Sequence, residues 1–176
     1  EGVLGCPNCR DQYPITDGFV DLRAPPRPEL PKGWAGDPVI KASEESEYLL
    51  PLLGIIQGPA TVLLIGGPAA LGGGLAALRE DIQVVGADAD LARWPADPAW
   101  SRIVSHPGIP FFSRTLRGVV IDGRLDRHWF EEAARAIAPM SRVVVVNAAT
   151  TAHEWLQVAG LSIMADESGR VVATSS

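Results

Sequence analysis

The chain has 176 residues, 47% of them hydrophobic and 20% charged, with a formal net charge of −6. That composition builds the core of one medium domain with a small appendage and excludes overall disorder. No apolar run reaches the roughly 18 to 20 residues that cross a bilayer, no signal-peptide pattern is present, and an acidic chain is a poor non-specific binder of nucleic acid; a cytoplasmic protein without a membrane span is expected.

Residues 1–23 have their own character. Cys6 and Cys9 stand three apart, a spacing that suits half a metal site better than a structural disulfide. Structural zinc takes four ligands, and His106, His128 and His153 lie far away in sequence. Three explanations stay open: an upstream pair outside this chain, ligands from a second chain, or loss of the metal. The chain opens at Glu1 rather than Met, which favours the first. Ile15, Phe19, Val20 and Leu22 alternate around Asp17-Gly18, as in a short β-hairpin. Residues 24–38 hold five prolines and are expected to be an extended linker.

The main domain is expected over 39–176. Apolar residues from Ala42 to Ile56 recur at helical spacing, with Ser43 as a candidate N-cap and Pro51 expected to kink or divide the helix. Strands are expected at Thr61–Ile65, Gln83–Ala87, Arg102–Val104, Leu116–Ile121, Arg142–Val146, Leu161–Ala165 and Arg170–Thr174. Between them, helices are expected at Ala69–Arg79, Arg127–Ala138 and Ala152–Ala159, with Leu91–Trp100 a helix or a broken turn. Strands alternating with helices imply a parallel sheet covered on both faces, with an antiparallel hairpin at the end.

A glycine-rich loop, Gly66-Gly67-Pro68-Ala69-Ala70-Leu71-Gly72-Gly73-Gly74, follows the first strand of this domain, and Asp88 ends the second. Glycine lets a ligand approach the backbone, and a carboxylate in the position of Asp88 can accept both ribose hydroxyls, so the pair suggests a dinucleotide or adenosyl ligand. A tight strand-to-helix turn and a helix-capping Asp explain the same residues without a ligand.

The succession of Val62-Leu63-Leu64-Ile65-Gly66, Val84-Val85-Gly86-Ala87-Asp88, Phe130 to Pro139, and Arg142 to Val146 resembles the class I S-adenosylmethionine-dependent methyltransferases. The resemblance runs from about Tyr48 to the C-terminus. It implies an α/β fold: a three-layer sandwich with a Rossmann-like seven-stranded sheet whose last strand is antiparallel, here with a small N-terminal β ribbon. It also implies S-adenosylmethionine as cofactor, with Gly66, Gly67 and Asp88 as its binding residues, and a small molecule or RNA as methyl acceptor. The head, Leu4-Gly5-Cys6-Pro7-Asn8-Cys9 through Tyr13-Pro14-Ile15-Thr16-Asp17-Gly18, looks like the second half of a Trm112-like zinc ribbon. That likeness implies zinc on Cys6 and Cys9 and a protein partner engaged through the ribbon.

The chain departs from the methyltransferase pattern at one place repeatedly. Leu64 stands where relatives carry an acidic residue, Pro68 and Ala70 replace glycines of the loop, and Pro139-Met140-Ser141 replaces a Pro-Gly-Gly turn. Pro68 lacks an N–H and fixes its own φ. No amino-methylating tetrad or third cysteine compensates. Asp122, after the fourth strand of the domain, is the candidate general base, with a turn-forming Asp in Asp122-Gly123 as the alternative; His106 and His128 are lesser candidates. Two functions from different classes follow: methyl transfer from S-adenosylmethionine, or a non-catalytic methyltransferase-like binding or assembly subunit.

Overall fold

A computed structural model describes residues 2–7, 10–16, 18–27, 42–87, 97–105 and 108–176, with side chains from 46 onward in the first helix. Asp88, Cys9, His106, most of the 24–38 linker and residues 91–96 lie outside the described residues.

Among the described residues, ten strands form one mixed sheet. In chain order they are β1 (Gly2–Gly5), β2 (Gln12–Thr16), β3 (Phe19–Asp21), β4 (Ala60–Ile65), β5 (Ile82–Ala87), β6 (Ser101–Val104), β7 (Leu116–Asp122), β8 (Ile137–Val146), β9 (Ser162–Glu167) and β10 (Arg170–Thr174). Their order across the sheet is β1-β2-β3-β6-β5-β4-β7-β8-β10-β9. The run from β6 to β9 is the expected seven-stranded arrangement: β6, β5, β4, β7 and β8 are parallel, and β10 is antiparallel to both β8 and β9. The head hairpin forms as expected, with Gly18 at φ +77° in its turn. It does more than the sequence foretold: β1 adds a further antiparallel strand, and β3 pairs in parallel with β6, so the ribbon extends the main sheet.

Among the described residues, four α-helices cover the sheet: α1 (Ala42–Leu53), α2 (Gly72–Leu78), α3 (Arg127–Ala136) and α4 (Ala152–Val158). Alternate residues of each central strand enter opposite cores. Val62, Leu64, Val84, Val120 and Val144 face α1 and α2, while Leu63, Ile65, Val119, Ile121, Val143 and Val145 face α3 and α4. Burial on both faces is why these strands read as continuous apolar runs rather than alternating ones. Phe130 of α3 packs edge-to-face on Trp155 of α4, with centroids 5.1 Å apart. Among the described residues, no helix is long and apolar enough to cross a membrane.

Several element boundaries differ from expectation for local reasons. Pro51 does not divide α1, because it falls in the last turn, where Arg142 Nη1 caps the carbonyl of Leu52 at 3.1 Å and Gly54 turns the chain at φ +67°. The helix expected to run to Ala138 stops at Ala136, and Ile137 already opens β8. Ala138 precedes Pro139, which disfavours the helical region for it. Met140 then takes φ +61°, a left-handed backbone that favours glycine.

Glu132 of α3 fastens the segment that leads into β7. Its carboxylate accepts the Ile109 N–H at 2.9 Å and both Nε and Nη2 of Arg135, while Arg135 also reaches the carbonyls of Ile109 and Phe111. The Arg135 hydrogen bonds outweigh burial and hold the Glu132 carboxyl below its ordinary value of 4.5. A carboxyl depressed in the folded state adds stability that is complete above its unfolded pKa and lost as pH falls through the folded one. Urea unfolding between about pH 5 and 3 is therefore expected to show a steeper loss of stability in the wild type than in Glu132→Gln. Equal slopes would contradict the assignment.

Candidate functional site

The carboxyl ends of the parallel strands meet at one edge, where open α/β sheets receive their ligands. There β4 ends at Ile65 beside β7, which ends at Asp122, in the register Ile65↔Ile121. Gly66 leaves the sheet at φ +78°, a backbone that disfavours any side chain, and donates its N–H to the Ala87 carbonyl at 3.1 Å. A Cβ on Gly66 would stand 3.0 Å from Leu125 Cδ1 and 3.2 Å from Asp122 Cβ. Gly67 to Leu71 form a single stretch of 3₁₀ helix, with Pro68 in its first turn, and only then does α2 begin. The helix expected from Ala69 thus starts as a tighter turn, a conformation the fixed φ of proline suits.

The donors of this turn are largely committed. Gly66 gives its N–H to Ala87, Pro68 has none, and Ala69 gives its N–H back to the Gly66 carbonyl at 2.9 Å. Residues 66–69 therefore carry three N–H groups, and two of them are already bonded within the protein, which leaves that of Gly67 for a ligand anion.

Asp122 lies directly against this turn and is completely buried. Arg124, two residues on, donates to it three times: the backbone N–H to Oδ1 at 3.1 Å, Nε to Oδ1 at 2.8 Å and Nη2 to Oδ2 at 2.5 Å. This is a bidentate fork on a carboxylate, the strong form of the contact. Its hydrogen bonds hold the Arg124 guanidinium above its ordinary pKa. A Cβ built on Gly67 would stand 2.7 Å from Asp122 Oδ2 and 3.3 Å from Arg124 Nη2. Glycine at 67 is therefore required by the ion pair, before any ligand is considered. The turn itself is tight: Gly123 donates to the Val146 carbonyl at 2.7 Å, and Leu125 to the Asp122 carbonyl at 3.1 Å. Asp126 then caps α3 by accepting the His128 N–H at 3.0 Å.

Gly72 and Gly73 of the loop, and Gly86 on β5, are held close to other side chains. The ring of Trp100 lies against Cα of both Gly72 on α2 and Gly86 on β5, with no room for a methyl group at either. Asp97 Oδ2 would be 2.8 Å from a Cβ on Gly73. Trp100, 8% exposed, thus fills the core between α2 and β5.

The structure brings together Gly66, Gly67 and Asp122 of the residues singled out from the sequence; Asp88 and His106 lie outside the described residues. His128 is half-buried on the first turn of α3, with its ring 6.2 Å from that of Trp129. His153 pairs with Asp166 at 3.0 Å on the α4 and β9 surface. In the head, Cys6 sits in a tight knuckle: Arg10, at φ +61°, donates its N–H to the Cys6 carbonyl, and Cys6 donates to the Asp11 carbonyl, both at 2.9 Å. Among the described residues, no group of three or more His, Cys, Asp or Glu side chains is placed to hold a metal, so the zinc expectation finds no support there.

Sequence reasoning missed Arg124 and the contact of Trp100 with Gly72 and Gly86. A signal for the first existed. Asp21 and Arg23, at the end of β3, form the same fork, with Nε on Oδ1 at 2.9 Å and Nη2 on Oδ2 at 2.7 Å. Asp-x-Arg at a strand end is thus a repeated device in this chain.

No protein-family model matches the chain, and no curated protein matches it by sequence. Solved structures do resemble it. One is a chain of the complex between the Haloferax volcanii Trm112 methyltransferase activator and the putative methyltransferase, at 18% identity over 72% of this chain and 76% of that one, with a TM-score of 0.53. A putative S-adenosyl-L-methionine-dependent methyltransferase from Methanococcus maripaludis is 14% identical over 76% of this chain and 84% of its own, with a TM-score of 0.57. Geranyl diphosphate methyltransferase in complex with S-adenosylmethionine is 17% identical over 70% of this chain and 66% of its own, with a TM-score of 0.55. At such identities the likeness is one of fold, and the fold is the Rossmann-like methyltransferase sheet.

The packing role of the glycines makes a specific prediction. Gly86→Ala is expected to destabilise by about 1 to 3 kcal/mol in urea unfolding, because the new methyl group meets the Trp100 ring. Trp100→Phe in the same background should recover part of that loss. A neutral Gly86→Ala would contradict the placement of Trp100.

Proposed function

We propose that this chain is a methyltransferase-fold protein that works as a non-catalytic binding or assembly subunit. One observation carries the reading: the turn at residues 66–69 that would cradle the cofactor has its donors committed, and its flank at Gly67 is taken by the Asp122–Arg124 fork. On this reading the described residues of the turn fit S-adenosylmethionine poorly, with only the Gly67 N–H left to offer. Asp122, the candidate general base, has both carboxylate oxygens on Arg124 and no exposure to solvent, so it is poorly placed to accept a proton from a methyl acceptor.

The subunit reading divides the chain into a ribbon segment (1–23), a linker (24–38) and a methyltransferase-like domain (39–176), with the ribbon attached through β3 on β6. A protein partner engaged through the ribbon is in keeping with the likeness to a complex that contains a Trm112 activator. The reading does not depend on zinc at Cys6 and Cys9.

A second reading, S-adenosylmethionine-dependent methyl transfer to a small-molecule or RNA acceptor, is favoured by Gly66. That residue keeps a buried, glycine-only backbone at the end of β4, where the family holds its cofactor. In that reading Gly66, Gly67 and Asp88 bind the cofactor.

Titration calorimetry separates the two. With S-adenosylmethionine and S-adenosylhomocysteine each at about 1 mM, the subunit reading expects no binding heat from either. A Kd below about 100 μM for either, corresponding to some 5 to 6 kcal/mol of binding free energy, would contradict it.

A further inference from the structure

We propose that Arg124 is the specificity-determining residue of the Gly66–Gly67 turn: held on Asp122, its guanidinium occupies the flank of Gly67 and keeps adenosyl ligands out. The inference rests on the non-catalytic reading and names the side chain responsible for it.

Two features of this turn differ from a ligand-binding one, Pro68 and the Asp122–Arg124 fork, and they act differently. Pro68 removes one N–H donor and leaves the space beside the turn unaltered. The fork fills space. Asp122 Oδ2 and Arg124 Nη2 lie 2.7 and 3.3 Å from the position of a Gly67 Cβ, so even a methyl group does not fit there. A ligand chain that ran along Gly67 would have to displace the guanidinium. Displacement is costly because Asp122 has no solvent exposure. Pulling Arg124 away strands a buried carboxylate, which is far more unfavourable than breaking a surface ion pair.

The fork is local in sequence. It spans two residues, and its third bond is the Arg124 backbone N–H to Oδ1. The Asp21–Arg23 fork at the end of β3 has the same three bonds, 3.1, 2.9 and 2.7 Å long. What sets residues 122–124 apart is their position. Strand β7 lies beside β4, so the same device that closes a strand end here comes to rest on a glycine turn. Arg124 keeps 35% side-chain exposure, and Gly67 beside it is half-buried.

Calorimetry of the full chain with S-adenosylhomocysteine tests this. In Asp122→Ala/Arg124→Ala both partners are removed together, so no buried charge is left unpaired. The double variant is expected to bind at least about tenfold more tightly than the wild type, while Pro68→Gly with the fork intact shows no comparable gain. Circular dichroism checks that each variant is folded. Should the double variant not fold, Arg124→Lys keeps a cation for Asp122 without the planar fork and is expected to gain severalfold. Folded variants without a gain overturn the proposal, as does a gain in Pro68→Gly that fork removal does not match. Binding by the wild type would defeat the non-catalytic reading, while a further gain on removing the fork would still support the role of Arg124.

Discussion

A carboxylate buried at the end of a central parallel strand has to be neutralised where it stands, because moving the charge out of water costs several kcal/mol unless a partner compensates. Asp122 meets that constraint with Arg124, two residues away. The rest of the carboxyl edge follows from this pairing. The guanidinium is drawn back over the strand end, the space beside β4 is taken, and residue 67 has to be glycine. The turn then continues through Pro68 into a stretch of 3₁₀ helix and commits its N–H groups internally. Gly67, Pro68 and Asp122, separate in sequence, thus meet in three dimensions at one closed corner.

The same economy of contacts explains the glycine-rich run beyond the turn. Trp100 enters the core between α2 and β5, and Gly72 and Gly86 are the places where its ring meets backbone. The packing fixes the height of α2 over the sheet. The head is likewise part of this framework, since β3 hydrogen-bonds to β6, the strand that follows Trp100. A partner that grips the ribbon would therefore pull on the main sheet directly. That coupling suits an assembly role, in which binding at one end must be felt by the whole domain.

The fold was largely legible in the sequence because its strands are buried on both faces. Val62 to Ile65, Val119 to Ile121 and Val143 to Val146 leave no ambiguity about strand or core. Boundaries set by one local residue were harder. The end of α3 turned on Pro139 acting back through Ala138, and Pro51 was tolerated because it fell in a last turn capped from β8. β1 was not legible, as all four of its residues are exposed and carry no alternation. At the candidate site, Gly66, Gly67 and Asp122 were found, since glycine and a strand-end carboxylate are visible types. Their meaning was not. It depends on Arg124, an ordinary charged residue in sequence, and on the adjacency of β4 and β7, which only the sheet order supplies. The packing role of Gly72 and Gly86 was hidden for the same reason: the residue that requires them, Trp100, is many positions away.

The closed corner can be observed directly by heteronuclear NMR of the wild-type chain, following the Arg124 Nε–H and the amides of Gly67 and Ala69 as S-adenosylhomocysteine is added. If the fork and the turn are committed as described, the Arg124 Nε–H is protected from exchange with solvent and none of the three signals moves with ligand. A saturable shift of Gly67 and Ala69, accompanied by release of the Arg124 Nε–H, would mean that the cleft opens to its ligand and would contradict the account.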